Sequence, residues 1–390
     1  MTRWSNWSGR IQSDPVEQLL PRDEDEVAAL VVAAANRGRR VRPRGTGHSN
    51  SPLCATEGVL VAPAGLAGVE SIAADGTSVR VGSGTVLHDL ADDLERRGIA
   101  LHNLGDIDVQ TVGGAIGTAT HGTGPALGNL AAALIALRVV TAGGEIVDCS
   151  TDAEPELFAA ARVSLGALGV ITSVTLRAVP TYRLHERIWF AAGDTALDQL
   201  DEHIAATRHY EFFWHPHRDL AEHKALAVTE APPDPLPDRK RERIDTWNRV
   251  LPSRRDVRFN EMEYSVPADS GAACFAAIRA RMLARWAGVQ WPVEYRTVAA
   301  DDIWLSPHHG RPSVTISIHQ GAELECDALF GDCEAILREH GGRPHWGKVH
   351  FATGADLADR YPRWHDWWRV RDHWDPDGVF LNDHIEALRA

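Results

Sequence analysis

The sequence predicts an α+β protein made of two domains. Its 390 residues exceed the size of about 250–300 residues beyond which a single hydrophobic core rarely grows. Segments with helical spacing of apolar residues alternate with short runs rich in β-branched and aromatic residues, which are typical of strands. Pro180 follows the last strand pattern of the first part, so we expect one domain in residues 1–180 and a second domain after it.

The first domain is expected to combine a sheet with three helices. Asp23 precedes apolar residues at helical spacing and Gly38 follows them, which is the usual pattern of a helix start and stop. A short strand beginning at Val41 comes next. The other predicted elements are strands at 58–62, 78–82, 134–141, 146–149 and 170–179 and helices at 87–97 and 154–162.

The second domain is interpreted as a cap over the first. Residues 210–214 have the aromatic composition of a strand, residues 292–298 and 313–319 are also predicted strands, and residues 272–286 have helical spacing. Residues 231–237 contain too many prolines for regular structure.

The charge and cysteine content exclude several classes of protein. A formal net charge of −14 argues against a nucleic-acid or anionic-membrane partner, and the one basic cluster, residues 239–243, is interpreted as a solvated helix face. No apolar run approaches the ~20 residues that span a bilayer, and the first ten residues lack the apolar core of a secretory signal. The five cysteines are scattered and odd in number, so neither a disulfide framework nor a metal site is expected, and a reducing cytoplasm fits best.

Two glycine-containing segments of the first domain point to a cofactor site. In residues 41–52, Gly45 and Gly47 precede His48. Glycine permits close backbone approach, so successive N–H groups can converge on an anionic pyrophosphate, and His48 can then meet the bound cofactor. The alternative is an ordinary turn.

The second segment, residues 110–124, contains five glycines, four threonines, one histidine and no charge. We do not expect such a run to form a packed helix. Small residues let the backbone approach a flat ligand, and threonine hydroxyls can bond phosphate or flavin heteroatoms. The alternative is a glycine-rich loop between strands.

In this order, and about 65 residues apart, the two segments resemble the FAD domain of the vanillyl-alcohol oxidase superfamily. The end of the chain is similar to the closing motif of the aldonolactone oxidase and alditol oxidase group, at residues 344–348, 361–362, 371, 375–378 and 380–382. The resemblance covers nearly the whole chain. It implies a cap domain in residues 181–342 and a segment, 343–390, that returns to the FAD domain.

The resemblance also implies that the protein binds FAD covalently through His48. His121 is expected to be a structural loop residue that contacts the cofactor. The expected cofactor-binding residues are Pro43, Arg44, Gly45, Thr46, Gly47, His48, Ser49, Thr111, Gly113, Gly114, Gly117, Thr118, His121, Gly122, Thr123, Ile171, His345 and Lys348.

Glu294 and Arg296 are the first candidates for the catalytic site. They stand two residues apart on a predicted strand and therefore share one face. By itself the pair is better explained as a structural salt bridge at a sheet surface. The resemblance instead implies the Glu-x-Arg active-site pair of the aldonolactone and alditol oxidases.

Further candidates lie on the next strand and in the closing motif. Thr315, Ser317 and His319 share one strand face, which suits sugar hydroxyls if it faces a cavity. Alditol oxidases carry a histidine where Ser317 aligns, which argues against a simple polyol substrate, although His319 can substitute on the same face. The closing motif implies a role for Lys348 beside the substrate oxygen or the flavin.

These residues support oxidation of a carbinol. Arg296 and Lys348 would stabilise negative charge on the substrate oxygen, Glu294 would orient Arg296 or bind a neighbouring hydroxyl, and Thr111 would hydrogen-bond the reacting group. The proton acceptor is open between Glu294, neutral Lys348, His319 and water.

The expected function is oxidation of a hydroxyl of a sugar-derived molecule, an aldonolactone or alditol, by hydride transfer to covalent FAD, with O2 or another carrier as the electron acceptor. The alternatives are oxidation of another hydroxylated metabolite and a flavin-binding protein without catalysis. A nicotinamide enzyme is disfavoured, because no Gly-x-Gly-x-x-Gly element opens a helix after the first strand.

Overall fold

The computed structural model describes residues 3–234 and 241–389. Its strands are β1 (Trp4–Ser5), β2 (Gln12–Ser13), β3 (Glu17–Leu19), β4 (Val41–Pro43), β5 (Val59–Val61), β6 (Val69–Ile72), β7 (Ser78–Gly82), β8 (Ile99–Ala100), β9 (Leu134–Val140), β10 (Ile146–Ser150), β11 (Val170–Arg177), β12 (Val179–Pro180), β13 (Arg183–Ala192), β14 (His209–His215), β15 (Leu220–Thr229), β16 (Glu242–Thr246), β17 (Phe259–Pro267), β18 (Val293–Val298), β19 (Ser313–Gly321) and β20 (Arg343–Pro344). Its α-helices are α1 (Glu24–Ala35), α2 (Leu87–Arg96), α3 (Val112–Gly117), α4 (Pro155–Ala161), α5 (Leu200–Ala206), α6 (Trp247–Val250), α7 (Gly271–Arg285), α8 (Asp327–Glu339), α9 (Gly354–Arg360), α10 (Trp364–Trp374) and α11 (Asp383–Ala387). Within these two ranges, every helix is too short or too polar to cross a membrane.

The first half of the chain forms a three-stranded and a five-stranded sheet, beside the two-stranded pairs β1-β2 and β8-β12. A parallel sheet has the strand order β3-β5-β4, and an antiparallel sheet has the order β10-β9-β11-β7-β6. Helix α1 begins where Asp23 accepts a hydrogen bond from the Glu26 N–H at 2.8 Å, and it buries Val27 and Val31 against both sheets. The predicted elements of this half are observed with ends that differ by at most two residues.

The glycine-rich segment corrects one prediction, because residues 112–117 form the short helix α3 rather than a loop. Val112, Ala115 and Ile116 pack into the core on one side. Thr111 caps the helix by accepting a hydrogen bond from the Gly114 N–H at 3.3 Å. Apolar burial and the cap therefore offset the low helix propensity of glycine.

The second half is built on one eight-stranded antiparallel sheet with the order β16-β13-β15-β14-β18-β19-β17-β20. Because side chains alternate along a strand, one sheet face is apolar and packs under α7 and α8, with Phe212, Tyr295 and Ile316 at its centre. The opposite face is also buried but carries charged residues, and it faces the first half of the chain.

The basic cluster is a second correction. Residues 242–243 belong to strand β16, not to a helix, and Arg243 forms an ion pair with Glu186 of the neighbouring strand β13. The cross-strand partner explains the clustered charge better than a solvated helix face does. Residues 239–240 of this cluster and residues 235–237 of the proline-rich stretch lie outside the described residues, and residues 232–234 have no regular structure.

The closing part of the chain contacts both halves. Strand β20 pairs with β17 of the large sheet, whereas Trp367 on α10 donates its indole N–H to the Ala160 carbonyl at the end of α4, 3.2 Å away. The structure does not by itself fix domain boundaries at residues 180 and 342, which stay predictions.

Candidate active site

A groove crosses the first half of the chain, and its empty space, with the open solvent at its mouth included, is about 790 Å³. One wall is the loop that follows β4, and the other is the exposed side of α3. The residues that line it are Pro43, Arg44, Gly45, Thr46, Gly47, His48, Ser49, Leu53, Cys54, Pro63, Ser83, Gln110, Thr111, Gly113, Gly114, Gly117, Thr118, Ser164, Leu165, Gly166, Gly169 and Ile171.

Glycines let the two walls approach each other. A Cβ atom on Gly45 would lie 2.2 Å from Thr111 Oγ1, and a Cβ atom on Gly113 would lie 2.9 Å from the Ser83 Cβ. Gly47 has a φ of +81°, a conformation that glycine adopts without strain. The glycines thus hold the loop and α3 close together.

Two buried polar atoms of the groove find no hydrogen-bond partner among the described residues. They are Ser83 Oγ and Gln110 Oε1. Buried polar atoms normally have partners, so a ligand with polar edges would complete the site. Together with the glycine-lined walls, this fits a flat dinucleotide such as FAD.

His48 lines this groove and stacks on Trp7, with ring centroids 5.0 Å apart. Burial, and then the positive charge of Lys348, lowers the pKa of His48 to about 4, so its imidazole is neutral at neutral pH. The loop that carries His48 is fastened to the closing segment, because the Asn50 N–H donates to the Gly347 carbonyl at 2.7 Å.

A second, smaller pocket adjoins the groove, and Gln110 lines both. Its floor is the charged face of the large sheet. The residues that line it are Gly105, Asp106, Ile107, Gln110, Thr120, His121, Arg255, Phe259, Glu261, Glu263, Glu294, Arg296, His319, His345 and Lys348.

Arg296 stands between two carboxylates on neighbouring strands. Its Nε donates to Glu211 Oε2 and its Nη2 to Glu294 Oε1, both at 2.8 Å. Lys224 adds a second cation 3.1 Å from Glu211. The predicted shared face of Glu294 and Arg296 is therefore observed, and both side chains are buried, unlike a surface salt bridge.

The two carboxyl groups have opposite pKa shifts. Burial raises the pKa of Glu294 to about 8, because the attraction of Arg296 does not offset desolvation and the nearby carboxylates of Asp106, Glu211 and Glu261. Burial acts on Glu211 in the same sense, but Lys224 and Arg296 together lower its pKa to about 2.

Lys348 extends from the closing segment to the same pocket. Its Nζ donates to Glu261 on β17. Burial alone would lower the pKa of Lys348, but the carboxylates of Glu261 and Glu263 outweigh it and raise the pKa. Lys348 is therefore an ammonium ion. Glu261 also lies 3.6 Å from Nε2 of His319.

A second buried pair joins the glycine segment to the sheet. His121 Nε2 lies 2.8 Å from Glu263 Oε1, and the Ser317 hydroxyl donates to the other oxygen of Glu263 at 2.7 Å. The neighbouring His345 accepts the Gly347 N–H at its Nδ1, 3.0 Å away. Ser317 is thus held by Glu263 behind the pocket.

The structure distributes the predicted site residues over these two cavities. The groove is lined by the predicted residues at the end of β4 and in the loop after it, by those between 111 and 118, and by Ile171. The pocket is lined by His121, Glu294, Arg296, His319, His345 and Lys348. Thr111 faces the groove as a helix cap, and Gly122 and Thr123 lie behind the pocket, where Thr123 donates to the Tyr210 carbonyl at 2.6 Å.

Sequence reasoning missed six charged residues of the site: Asp106, Glu211, Lys224, Arg255, Glu261 and Glu263. A signal existed for two of them. Glu261 and Glu263 alternate with Met262 and Tyr264, which is the period of a strand with one polar and one apolar face.

Two protein-family models match the chain, one over its first part and one over its second part. A model described as FAD binding domain matches residues 18–150, and one described as D-arabinono-1,4-lactone oxidase matches residues 174–248 and 236–388. The chain belongs to the D-arabinono-1,4-lactone oxidase family. It is an FAD-dependent oxidoreductase that acts on CH–OH groups, as the resemblance predicted.

Individual relatives in this family match over their whole length. The chain is 37% identical to an L-gulono-1,4-lactone dehydrogenase of Mycobacterium tuberculosis, over 99% of this chain and 98% of the relative. It is 29% identical to an L-gulonolactone oxidase of Bos taurus, over 99% and 98%. A crystal structure of cholesterol oxidase from B. sterolicum superposes with a TM-score of 0.86 over 100% of this chain and 96% of that one, at 18% identity. The structural match shows the fold alone and confirms the predicted two-domain α+β class.

Proposed function

We propose that this enzyme oxidises a hydroxyl of an aldonolactone, with FAD in the groove and the lactone in the adjoining pocket. The family match and the relatives named for L-gulonolactone and L-gulono-1,4-lactone support the substrate class. The observation that carries the proposal is the position of two cations, the buried Arg296 and the half-buried Lys348, in the pocket next to the groove.

The charge balance of the pocket favours a neutral, hydroxylated substrate. Arg296 is already paired with the ionised Glu211 and lies 3.8 Å from Asp106, and Lys348 is paired with Glu261, so the described residues of the pocket leave no uncompensated cation to bind a sugar acid. The same groups offer both donors and acceptors, which suits a ring with several hydroxyls. A simple alditol is the less supported substrate, because the chain has Ser317 where alditol oxidases carry a histidine. The Ser317 hydroxyl is held by Glu263 behind the pocket.

Each residue has a separate task in the proposed reaction. Bound FAD supplies the acceptor for the hydride that leaves the carbinol carbon. Arg296 and Lys348 are fixed cations that stabilise negative charge on the substrate oxygen. Glu294 holds the guanidinium in place at 2.8 Å.

Anaerobic mixing tests this proposal. We expect aldonolactones to bleach the flavin absorbance, and alditols and sterols to leave it unchanged. Arg296→Gln should slow bleaching strongly, whereas Arg285→Gln, which removes an exposed ion pair with Asp332, should not. Bleaching by alditols alone would contradict the substrate class, and no bleaching by any compound would favour a non-catalytic flavin protein. Repeating the reaction with O2 tells an oxidase from a dehydrogenase, since the relatives include both.

The covalent link to His48 belongs to the same proposal. The neutral imidazole that lines the groove is a suitable nucleophile for the flavin 8α-methyl group. Replacing one N–H and one methyl C–H with an N–C bond is a two-electron oxidation, for which O2 is the acceptor. Acid-precipitated wild-type protein should therefore stay yellow.

The control for this test is a matched pair of histidine variants. His48→Ala should release its flavin into the supernatant, whereas His88→Ala, at an exposed histidine, should keep it in the pellet. A colourless wild-type pellet from flavin-loaded protein would show that the cofactor is only dissociably bound.

A further inference from the structure

The ring of His319 has two different neighbours. Its Nδ1 lies 2.9 Å from the carbonyl oxygen of Pro292. A carbonyl oxygen only accepts hydrogen bonds, so Nδ1 carries the proton and Nε2 of the neutral ring keeps a free lone pair. His319 lines the substrate pocket, and Nε2 lies 3.6 Å from Glu261 Oε1, which leaves it outside hydrogen-bond distance of that carboxylate.

Charged groups surround His319 from several elements. Glu261 on β17 favours the protonated ring, while Lys348 of the closing segment and Arg255 before β17 oppose it. Glu294 on β18 approaches from the next strand. Burial is the largest effect, and it lowers the pKa of His319, so the ring is neutral at neutral pH.

Other groups of the pocket are poorer proton acceptors. Lys348 is an ammonium ion paired with Glu261, and the raised pKa of Glu294 keeps that carboxyl protonated below about pH 8. Burial works against ionisation of Glu261, yet the Lys348 ammonium keeps its pKa below the ordinary value, so it is a weak base.

The two remaining histidines of the pocket are already engaged. His121 donates from Nδ1 to the Gly122 carbonyl and its Nε2 contacts Glu263. Since Nδ1 of His345 accepts the Gly347 N–H, its Nε2 carries the ring proton and acts as a donor.

We propose that His319 is the proton acceptor of the oxidation, and that its Nε2 takes the proton of the substrate hydroxyl. This rests on the proposed function. As the hydride leaves the carbon for the acceptor named above, the O–H bond breaks and its electron pair completes the carbonyl. The proton ends on Nε2, and Glu261 stabilises the resulting imidazolium.

The decisive variant is His319→Asn. Its amide N–H stands near the position of Nδ1 and can still donate to Pro292, but no base remains at the position of Nε2. We expect the rate of flavin reduction by the lactone to fall about 10²–10⁴-fold. The lactone dissociation constant should change by only a few fold, because the substrate hydroxyl loses a single partner.

The pH dependence separates a proton acceptor from a structural residue. The wild-type reduction rate should rise with pH as His319 loses its proton, and His319→Asn should lack this step. Added imidazole should partly restore the variant. His340→Asn is the matched control, since His340 makes the same Nδ1 contact, 2.9 Å from the Ile336 carbonyl, at the end of α8. It should behave as the wild type does.

A readout without catalysis completes the test. Nitrogen-15 NMR of the ring should show His319 protonated at Nδ1 only, and the opposite tautomer would overturn the proposal. A His319→Asn enzyme with wild-type rate and pH profile would overturn it too. If that variant does not fold, His319→Gln serves for the same comparison. A wild-type enzyme that no lactone reduces would instead contradict the proposed function.

Discussion

At the scale of single residues, the guanidinium of Arg296 donates to two carboxyl groups whose pKa values are shifted in opposite directions. Glu211 has Lys224 as a second partner, whereas Glu294 faces other carboxylates. The pKa of Glu211 falls to about 2 and that of Glu294 rises to about 8. The site thus contains a carboxyl group held protonated beside an ionised one, which lets Glu294 donate to a substrate hydroxyl.

Glu294→Gln should stabilise the protein at alkaline pH. A carboxyl whose pKa is raised on folding loses stability as pH climbs from its ordinary value toward the folded one, here from about 4.5 to about 8. The amide removes this loss, so the free energy of unfolding at pH 8 should exceed that of the wild type, by at most about 1.4 kcal/mol per pH unit of the interval. Denaturant unfolding at pH 5 and pH 8 measures the difference.

Glu211→Gln is the opposing control. Its lowered pKa contributes stability above the ordinary value, which is lost only as pH falls toward 2. Breaking this buried pair should cost about 3 kcal/mol at both pH values. If both variants changed the free energy of unfolding in the same direction at pH 8, the opposite pKa shifts of Glu211 and Glu294 would be contradicted.

At the scale of elements, the six-residue helix α3 lies between the hydrophobic core and the groove. Its apolar side chains face the core, and its glycines face the groove. Gly114 is exposed in the groove, and a Cβ there would lie 3.0 Å from Thr111 Oγ1. The side of α3 that faces the groove therefore presents glycines, which have no side chain.

Gly114→Ala should weaken FAD binding with little effect on folding. The added methyl occupies the groove, and we expect about tenfold weaker binding or more, equivalent to about 1.4 kcal/mol. The helix gains up to about 1 kcal/mol from alanine, which the tight Thr111 contact offsets in part. Flavin titration in a His48→Ala background, where the cofactor can dissociate, measures the effect.

Gly331→Ala supplies the matched control. Gly331 lies inside α8, and nothing stands within 4 Å of the added Cβ. This variant should be about 0.5–1 kcal/mol more stable and bind FAD as the parent does. Equal flavin affinity of the Gly114 and Gly331 variants would exclude the groove side of α3 as a flavin contact.

The elements also show what the sequence can and cannot predict. Strand β18 was predicted at 292–298 and is observed at Val293–Val298, because its pattern is local. Helix α3 was missed because its stability comes from tertiary burial. The partners Glu211 and Lys224 were missed because they depend on the strand order β15-β14-β18, which no local pattern encodes. The family resemblance supplied Lys348, which local pattern alone treats as a solvated lysine.

At the scale of the whole molecule, Arg42 ties distant segments together without a carboxylate. Its guanidinium is 1% exposed and donates to the carbonyl groups of Leu53, Leu165, Gly166 and Phe380. Burial, the largest effect, lowers its pKa to about 10, which still leaves it charged. Strand β4, the loop before β11 and the closing segment thus meet on one side chain.

Arg42→Met should destabilise the protein by about 3 kcal/mol or more, since each buried carbonyl left without a donor costs about 1 kcal/mol or more. Arg40→Met is the control: Arg40 also reaches the closing segment, at Asp383 and Glu386, but through exposed ion pairs. Its loss should cost less than about 1 kcal/mol. Thermal unfolding compares the two, and equal losses would contradict the anchoring role of Arg42.

The contact between Asn50 and Gly347 sets an order of events during biosynthesis. The loop bearing His48 emerges from the ribosome about 300 residues before the segment that braces it. Until that segment arrives, Lys348 and the Phe380 carbonyl are both missing from their places. We therefore expect flavin attachment to follow completion of the polypeptide, so that a truncated translation product carries no colour and no activity.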